Sequence, residues 1–395
     1  MLFSLSLVMA AGLAGGALFR KLHLPGLLGM MLAGIVIGPC CLNLLSTDLL
    51  DLSPLLRKIA LLLILIRAGL GLKTGDLRRA GRPAILLCFV PATFEIVAFT
   101  LLAPPILGLS RLSSAILGCV IAAVSPAVVV PGMLKVMESG YGQNKAIPQM
   151  ILAGASADDI YVLVLFSVFT TIAKKGSFHP ELLWRIPSAI LLGIAGGIVF
   201  GLLMTMLMKK ISINTPTAVL ILLSGGLFFY GLEEAMTGII AFSGLIATMV
   251  SAMVVGARLP EQAAELGKGF NGLWAGGEIF LFVLIGAAVD VTSVWNGLGQ
   301  NLLLIILCLM VRSIGVLLCT AGTDLTPKEK LFCVISYLPK ATVQAAIGAV
   351  PLAMGIEGGQ TILSLAVTAI LVTAPTGAIL IHSLHPKLLT KGREA

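Results

Sequence analysis

Thirteen predominantly apolar runs, each long enough to cross a lipid bilayer, recur along this chain: residues 2–19, 26–44, 54–72, 82–107, 113–137, 146–173, 184–208, 216–232, 236–256, 271–289, 298–321, 328–354 and 359–383. A helix needs about 20 residues to span the hydrocarbon layer. Inside that layer the backbone must satisfy its own hydrogen bonds, and runs this long without alternation do so as helices. The sequence therefore predicts an all-α polytopic membrane protein, with residues 1–395 as one transmembrane domain and little chain outside the bilayer. With 58% hydrophobic and only 11% charged residues, the composition lies far from that of soluble domains, where about 25% of residues are charged. In the first run Arg20 and Lys21 follow the apolar stretch, the reverse of a secretory leader, so this run is expected to remain in the chain.

The net charge of +8 reads as a topology signal. Seventeen Lys and Arg residues fall in short segments on the side shared with the C-terminus, against six on the other. The positive-inside rule then predicts a cytoplasmic C-terminus and an external N-terminus. Nucleic acid is not an expected partner, and neither a Walker A loop nor a GxGxxG turn occurs, so nucleotide-driven transport has no support. The seven cysteines lie in apolar runs without a CxxC, and the four histidines lack metal spacing. Free thiols, no cofactor and no enzymatic chemistry are the expectation.

Two runs carry helix-breaking chemistry where a spanning helix should continue. They are "VSPAVVVPGM", with Pro126 and Pro131, and "SYLPKATVQAAIG", with Pro339. Proline removes an intrahelical bond, and irregular backbone survives at membrane depth only where protein or a wet cavity satisfies it. The two runs are the fifth and the twelfth, seven apart, and so antiparallel. An inverted repeat follows, with halves over about 1–173 and 216–385 joined by a linker helix at 184–208 and with the broken helices crossing near the midplane.

Ionisable side chains within apolar runs mark function by default: here Arg67, Glu95, Asp158, Asp159, Glu278, Arg312 and Lys340. Four acids face three bases, so one carboxylate lacks a protein cation and must hold a proton or a metal cation. Adjacent helical residues diverge by about 100°, which lets one aspartate pair while its neighbour faces a cavity. We expect Glu95–Arg312 and Asp158–Lys340 as pairs and Asp159 as the free carboxylate. Oxygen ligands for Na+ or Li+ are expected from Asp158 and Asp159, with support from Ser156, from Thr342, and from carbonyls freed by Pro126 near Val128–Val130. Lys340 is then the base able to surrender a proton during exchange, which an arginine cannot do.

Together "ASADDIYVLVLF", "SPAVVVPGML", "LIRAGLGL", "VRSIG" and "YLPKATVQAAIG" resemble the sodium/proton exchanger superfamily, in its branch of antiporters with paired aspartates. The resemblance spans about residues 25–385. It implies an NhaA-like fold of thirteen helices, a homodimer, elevator-like alternating access, Na+ or Li+ and H+ as substrates, and a bacterial plasma membrane as location. It also implies roles for Asp159 as the ion-binding acid, Asp158 as its salt-bridged neighbour, Lys340 as partner on the broken helix, and Glu95–Arg312 as a core pair. One departure stands out: electrogenic bacterial members carry lysine where this chain has Arg312. A sodium-coupled symporter of a small organic anion is the competing expectation, but it would need spare polar groups for its solute at the crossing, where the breaks offer only Ser125, Thr342 and Gln344. An intramembrane aspartyl protease is disfavoured, because its two acids must converge on one water.

Overall fold

A computed structural model of the chain describes residues 1–22, 24–71, 74–175, 181–211, 213–236 and 242–391, and among them regular structure is helical apart from one isolated bridge between Tyr141 and Lys391. Each expected run is occupied by helix. In chain order these are α1 (Leu2–Lys21), α2 (Gly26–Ile37), α3 (Thr47–Gly71), α4 (Thr74–Leu87), α5 (Val90–Leu107), α6 (Arg111–Ala122), α7 (Pro126–Glu138), α8 (Ile147–Lys175) and α9 (Glu181–Lys210). They continue with α10 (Thr215–Ala235), α11 (Gly244–Arg258), α12 (Pro260–Ala287), α13 (Val291–Asn296), α14 (Leu298–Cys319), α15 (Pro327–Ser336), α16 (Thr342–Ile347), α17 (Val350–Ala353) and α18 (Gly359–Leu388). Eight helical spans among the described residues are long and apolar enough to cross a membrane, and shorter apolar helices accompany them. The protein is a multi-pass integral membrane protein.

Runs five and twelve are indeed interrupted. The fifth divides into α6 and α7 around Ala123, Val124 and Ser125, which are extended or cap residues. The twelfth divides into α15 and α16, with α17 beyond. Only one of the two prolines in run five breaks its helix. Pro126 takes the first turn of α7, where its missing N–H costs nothing, and Pro131 sits inside α7 with the helix continuing past it. The carbonyls released are consequently those of Ile121, Ala122 and Ala123, and the expected Val128–Val130 lie inside α7.

The chain forms two compact units, each assembled from separate stretches of the sequence. The larger holds residues 1–53, 75–174 and 281–395; the smaller holds 54–74 and 175–280. In the larger unit α1 packs on α2 through glycines. A Cβ at Gly15 would stand 2.8 Å from the Gly29 carbonyl carbon, and one at Gly16 would stand 2.9 Å from the Met30 side chain. Those small residues thus serve contacts between helices of the same chain. Cys40 and Cys41 are exposed in the turn after α2, because Gly38 and Pro39 stop the helix short of the apolar run's end. All seven cysteines are free.

In the smaller unit, α9 meets α11 along Gly193, Gly197 and Gly201, three glycines at helical spacing. An added Cβ would stand 2.7 Å from the Ser243 carbonyl oxygen, 2.6 Å from that of Ala247 and 2.7 Å from the Val254 side chain. Membrane helices associate through such close approach, since lipid gives no hydrophobic drive. Gly197→Leu is expected to lower the melting temperature in detergent by forcing the helices apart, at a cost of about 1–3 kcal/mol; an unchanged melting temperature would show that the approach contributes nothing. In the same unit Lys58 bonds Glu234 at 3.1 Å over the Tyr230 ring, while Arg67 stacks on Trp274 at 5.5 Å and feels the charge of Glu278.

Candidate ion-binding site

The larger unit contains both broken helices, and their backbones join. Ser125 N–H, at the first break, donates to the Pro339 carbonyl at the second, at 2.9 Å. Pro339 has room because Gly377 of α18 carries no side chain; a Cβ there would stand 3.0 Å from the proline Cδ. The next amide, Lys340 N–H, is held by Thr373 Oγ1 at 2.9 Å. These two amides of the breaks are thus taken up by the opposite break and by α18, as burial demands.

The end of α6 presents carbonyls with the partial negative charge of a helix C-terminus. Gln344 Nε2 donates to the Ile121 and Ala123 carbonyls, both at 2.9 Å. The Ala122 carbonyl accepts from Lys340 Nζ at 3.2 Å and also from Arg312 Nη1. Two cations and one amide thus neutralise the first break.

Five ionisable side chains gather here, all buried: Glu95 from α5, Asp158 and Asp159 from α8, Arg312 from α14, and Lys340 from the second break. Glu95 Oε2 accepts from Arg312 Nη1 at 2.5 Å and from Lys340 Nζ at 2.6 Å. Asp158 Oδ2 accepts from Arg312 Nη2 at 3.1 Å and from the Val124 N–H at 3.0 Å. The Glu95–Arg312 contact matches the expected pair. The expected Asp158–Lys340 pair does not form: Arg312, whose planar fork can serve two carboxylates at once, bridges Glu95 and Asp158, and Lys340 goes to Glu95.

Asp159 differs from its neighbour. It is 3% exposed, its Oδ1 has no hydrogen-bond partner, and no cation pairs with it among the described residues. Glu95 Oε1, Asp158 Oδ1, Ser125 Oγ, Thr342 Oγ1 and Gln344 Oε1 are likewise buried without partners. With every group ionised, three acids and two bases leave one net negative charge. Pro126 and Thr342 stand at the first positions of α7 and α16, flanking the two breaks. Ser156 lies on α8, and its side chain is outside the described residues.

Sequence reasoning missed three parts of this arrangement: the Gln344 clamp, the Val124 amide on Asp158, and the double use of Glu95. The glutamine was visible as a polar residue in an apolar run. The other two depend on which way the helices turn.

Comparison with known proteins adds the family. The model of the family described as sodium/hydrogen exchanger, transmembrane, matches residues 6–384. Mouse sodium/hydrogen exchanger 9B2 is 33% identical across 99% of this chain and 74% of its own length, and human sodium/hydrogen exchanger 9B1 is 31% identical across 99% and 78%. The structure of the sodium proton antiporter MjNhaP1 from Methanocaldococcus jannaschii at pH 8 superposes with a TM-score of 0.87 over 97% of each chain, and at 20% identity this likeness shows the fold. The runs, the two crossing breaks and the family match agree: the chain belongs to the sodium/hydrogen exchanger family.

Proposed function

We propose that the protein is a monovalent cation/proton antiporter that exchanges Na+ or Li+ for H+, with both substrates competing for Asp159. The observation that carries this reading is the buried Asp159 carboxylate, whose Oδ1 has no partner and which no described base neutralises. Such a group must carry a proton or a cation to sit in low dielectric. The relatives named above are sodium/hydrogen exchangers, which points to the same substrates. The symporter alternative loses ground because the Gln344 amide is already spent on Ile121 and Ala123.

In this reading the site loaded with H+ or with Na+ is neutral overall and reorients by an elevator-like, alternating-access movement. The empty site, carrying one negative charge, does not cross. Asp158 and Asp159 supply oxygen to the metal cation, with Thr342 and Ser125 nearby on the breaks. A homodimer in the bilayer is part of the proposal, and a monomer by native mass spectrometry in lipid would count against it. The animal relatives named above lend no support to a bacterial plasma membrane.

Addition of Na+ or Li+ to proteoliposomes holding a preformed pH gradient is expected to dissipate it, and gradient behaviour independent of the cation would sink the proposal. Competition at a single carboxylate also predicts that the apparent KM for Na+ rises as pH falls, approaching about tenfold per pH unit in the acid limb. Stoichiometry follows from the pairing. A cation arriving at Asp159 can pull Asp158 away from Arg312, but arginine releases no proton, and Lys340 is held by Glu95 rather than by Asp158. Exchange is therefore expected to be one for one and insensitive to membrane potential. Voltage-driven exchange in clamped liposomes would refute this stoichiometry and return Lys340 to the role of second proton carrier.

A further inference from the structure

Tyr337 is a buried polar group that the exchange cycle leaves unused. It caps the C-terminus of α15 at the second break, its side chain is fully buried, and its hydroxyl has no hydrogen-bond partner. Its ring lies 5.5 Å from the Arg312 guanidinium carbon. The hydroxyl end fits a notch in α8 at Gly154, where an added Cβ would overlap the Tyr337 oxygen and stand 2.8 Å from Leu87 Cβ. Gly154 precedes Asp158 by four residues, so the notch lies one turn along the same face from the aspartate.

This arrangement has costs that packing alone would avoid. A glycine weakens the helix that bears the ion site, and a buried hydroxyl forgoes its hydrogen bond. What they secure is a ring over Arg312. The Arg312 Nη atoms reach Glu95 and Asp158, while its Nε has no partner. The fork is thus fixed at its tip only, and the aromatic face, which attracts a guanidinium, supports it beside the tip. We propose that Tyr337 is a positioning residue: its ring, wedged against Gly154, holds the Arg312 fork on Asp158 and so keeps Asp159 the free carboxylate for which H+ and Na+ compete. This rests on the antiport reading above.

The test compares Tyr337→Leu, Tyr337→Phe, Gly154→Ala and Gly154→Ala/Tyr337→Phe in proteoliposomes, recording the pH profile of Na+-dependent exchange, the apparent KM for Na+, and the melting temperature. Tyr337→Leu removes the ring and is expected to displace the pH profile and change the apparent KM by about five- to thirtyfold, the equivalent of one desolvated cation–π contact. Tyr337→Phe keeps the ring over Arg312, though without the oxygen that fills the Gly154 notch, and is expected to restore most of both. Gly154→Ala pushes the ring out and should reproduce the leucine phenotype. Removing the hydroxyl in the double variant should reverse part of it, the non-additivity expected of touching groups. If Tyr337→Leu does not fold, the Gly154→Ala pair carries the same comparison. A leucine variant with lowered stability or maximal rate but an unmoved pH profile and KM makes the ring structural and overturns the proposal, as does a double variant no better than Gly154→Ala. Wild-type protein without cation-dependent exchange overturns the antiport reading itself and this proposal with it. Wild-type exchange alongside an unmoved leucine profile overturns this proposal alone.

Discussion

Asp159→Asn is expected to reduce cation-dependent proton exchange to the level of protein-free liposomes while leaving the protein folded. The amide keeps the size and shape of the carboxylate but neither titrates nor neutralises a cation, so the site stays neutral with nothing to exchange. Stability should hold or rise. Asp159 takes no ion pair in the structure, so neutralising it removes the burden of a buried charge without orphaning a partner. Exchange rates and detergent melting temperatures, measured on one preparation, separate the two effects. Normal exchange by this variant would move the carrier to Asp158. Loss of exchange with collapse of the melting temperature would show a structural role instead.

Glu95→Ala is expected to have the opposite signature, with stability lost first. Glu95 Oε2 serves Arg312 and Lys340 together, so its removal leaves two buried cations with Asp158 as their remaining ion-pairing acid. Breaking one buried pair costs about 3–5 kcal/mol, and a shared acceptor places this variant at the upper end of that range. The melting temperature in detergent should drop sharply. Adding Lys340→Met should recover part of the loss, because it removes one of the orphaned charges. A single Glu95→Ala variant that melts like the wild type would show that the shared carboxylate does not hold these bases.

Much of the architecture is legible in the sequence because it follows from local rules. Apolar runs of spanning length must be helices, since nothing else satisfies a backbone in lipid, and each of the thirteen runs contains helix among the described residues. Proline chemistry marks both breaks. Counting acids against bases points to one unpaired carboxylate, and the adjacency of Asp158 and Asp159 forces their environments apart by the geometry of a helix.

Which of the two prolines in run five breaks the helix, and which base serves which acid, were decided elsewhere. Pro126 and Pro131 are chemically alike. The break falls before Pro126 because Val124 N–H and Ser125 N–H find acceptors in Asp158 and Pro339, and the Ile121 to Ala123 carbonyls find donors in Gln344, Lys340 and Arg312. Those partners come from α8, α14 and the second break, more than 30 residues away along the chain. The pairing of Asp158 with Arg312 rather than Lys340 likewise turns on the rotation of α8 and α14 and on a side-chain reach of a few ångströms. Local sequence fixes where helices exist and how many charges they carry. Only the packed fold assigns those charges to one another, because an ion pair in low dielectric is governed by distances that no spacing along a single helix encodes.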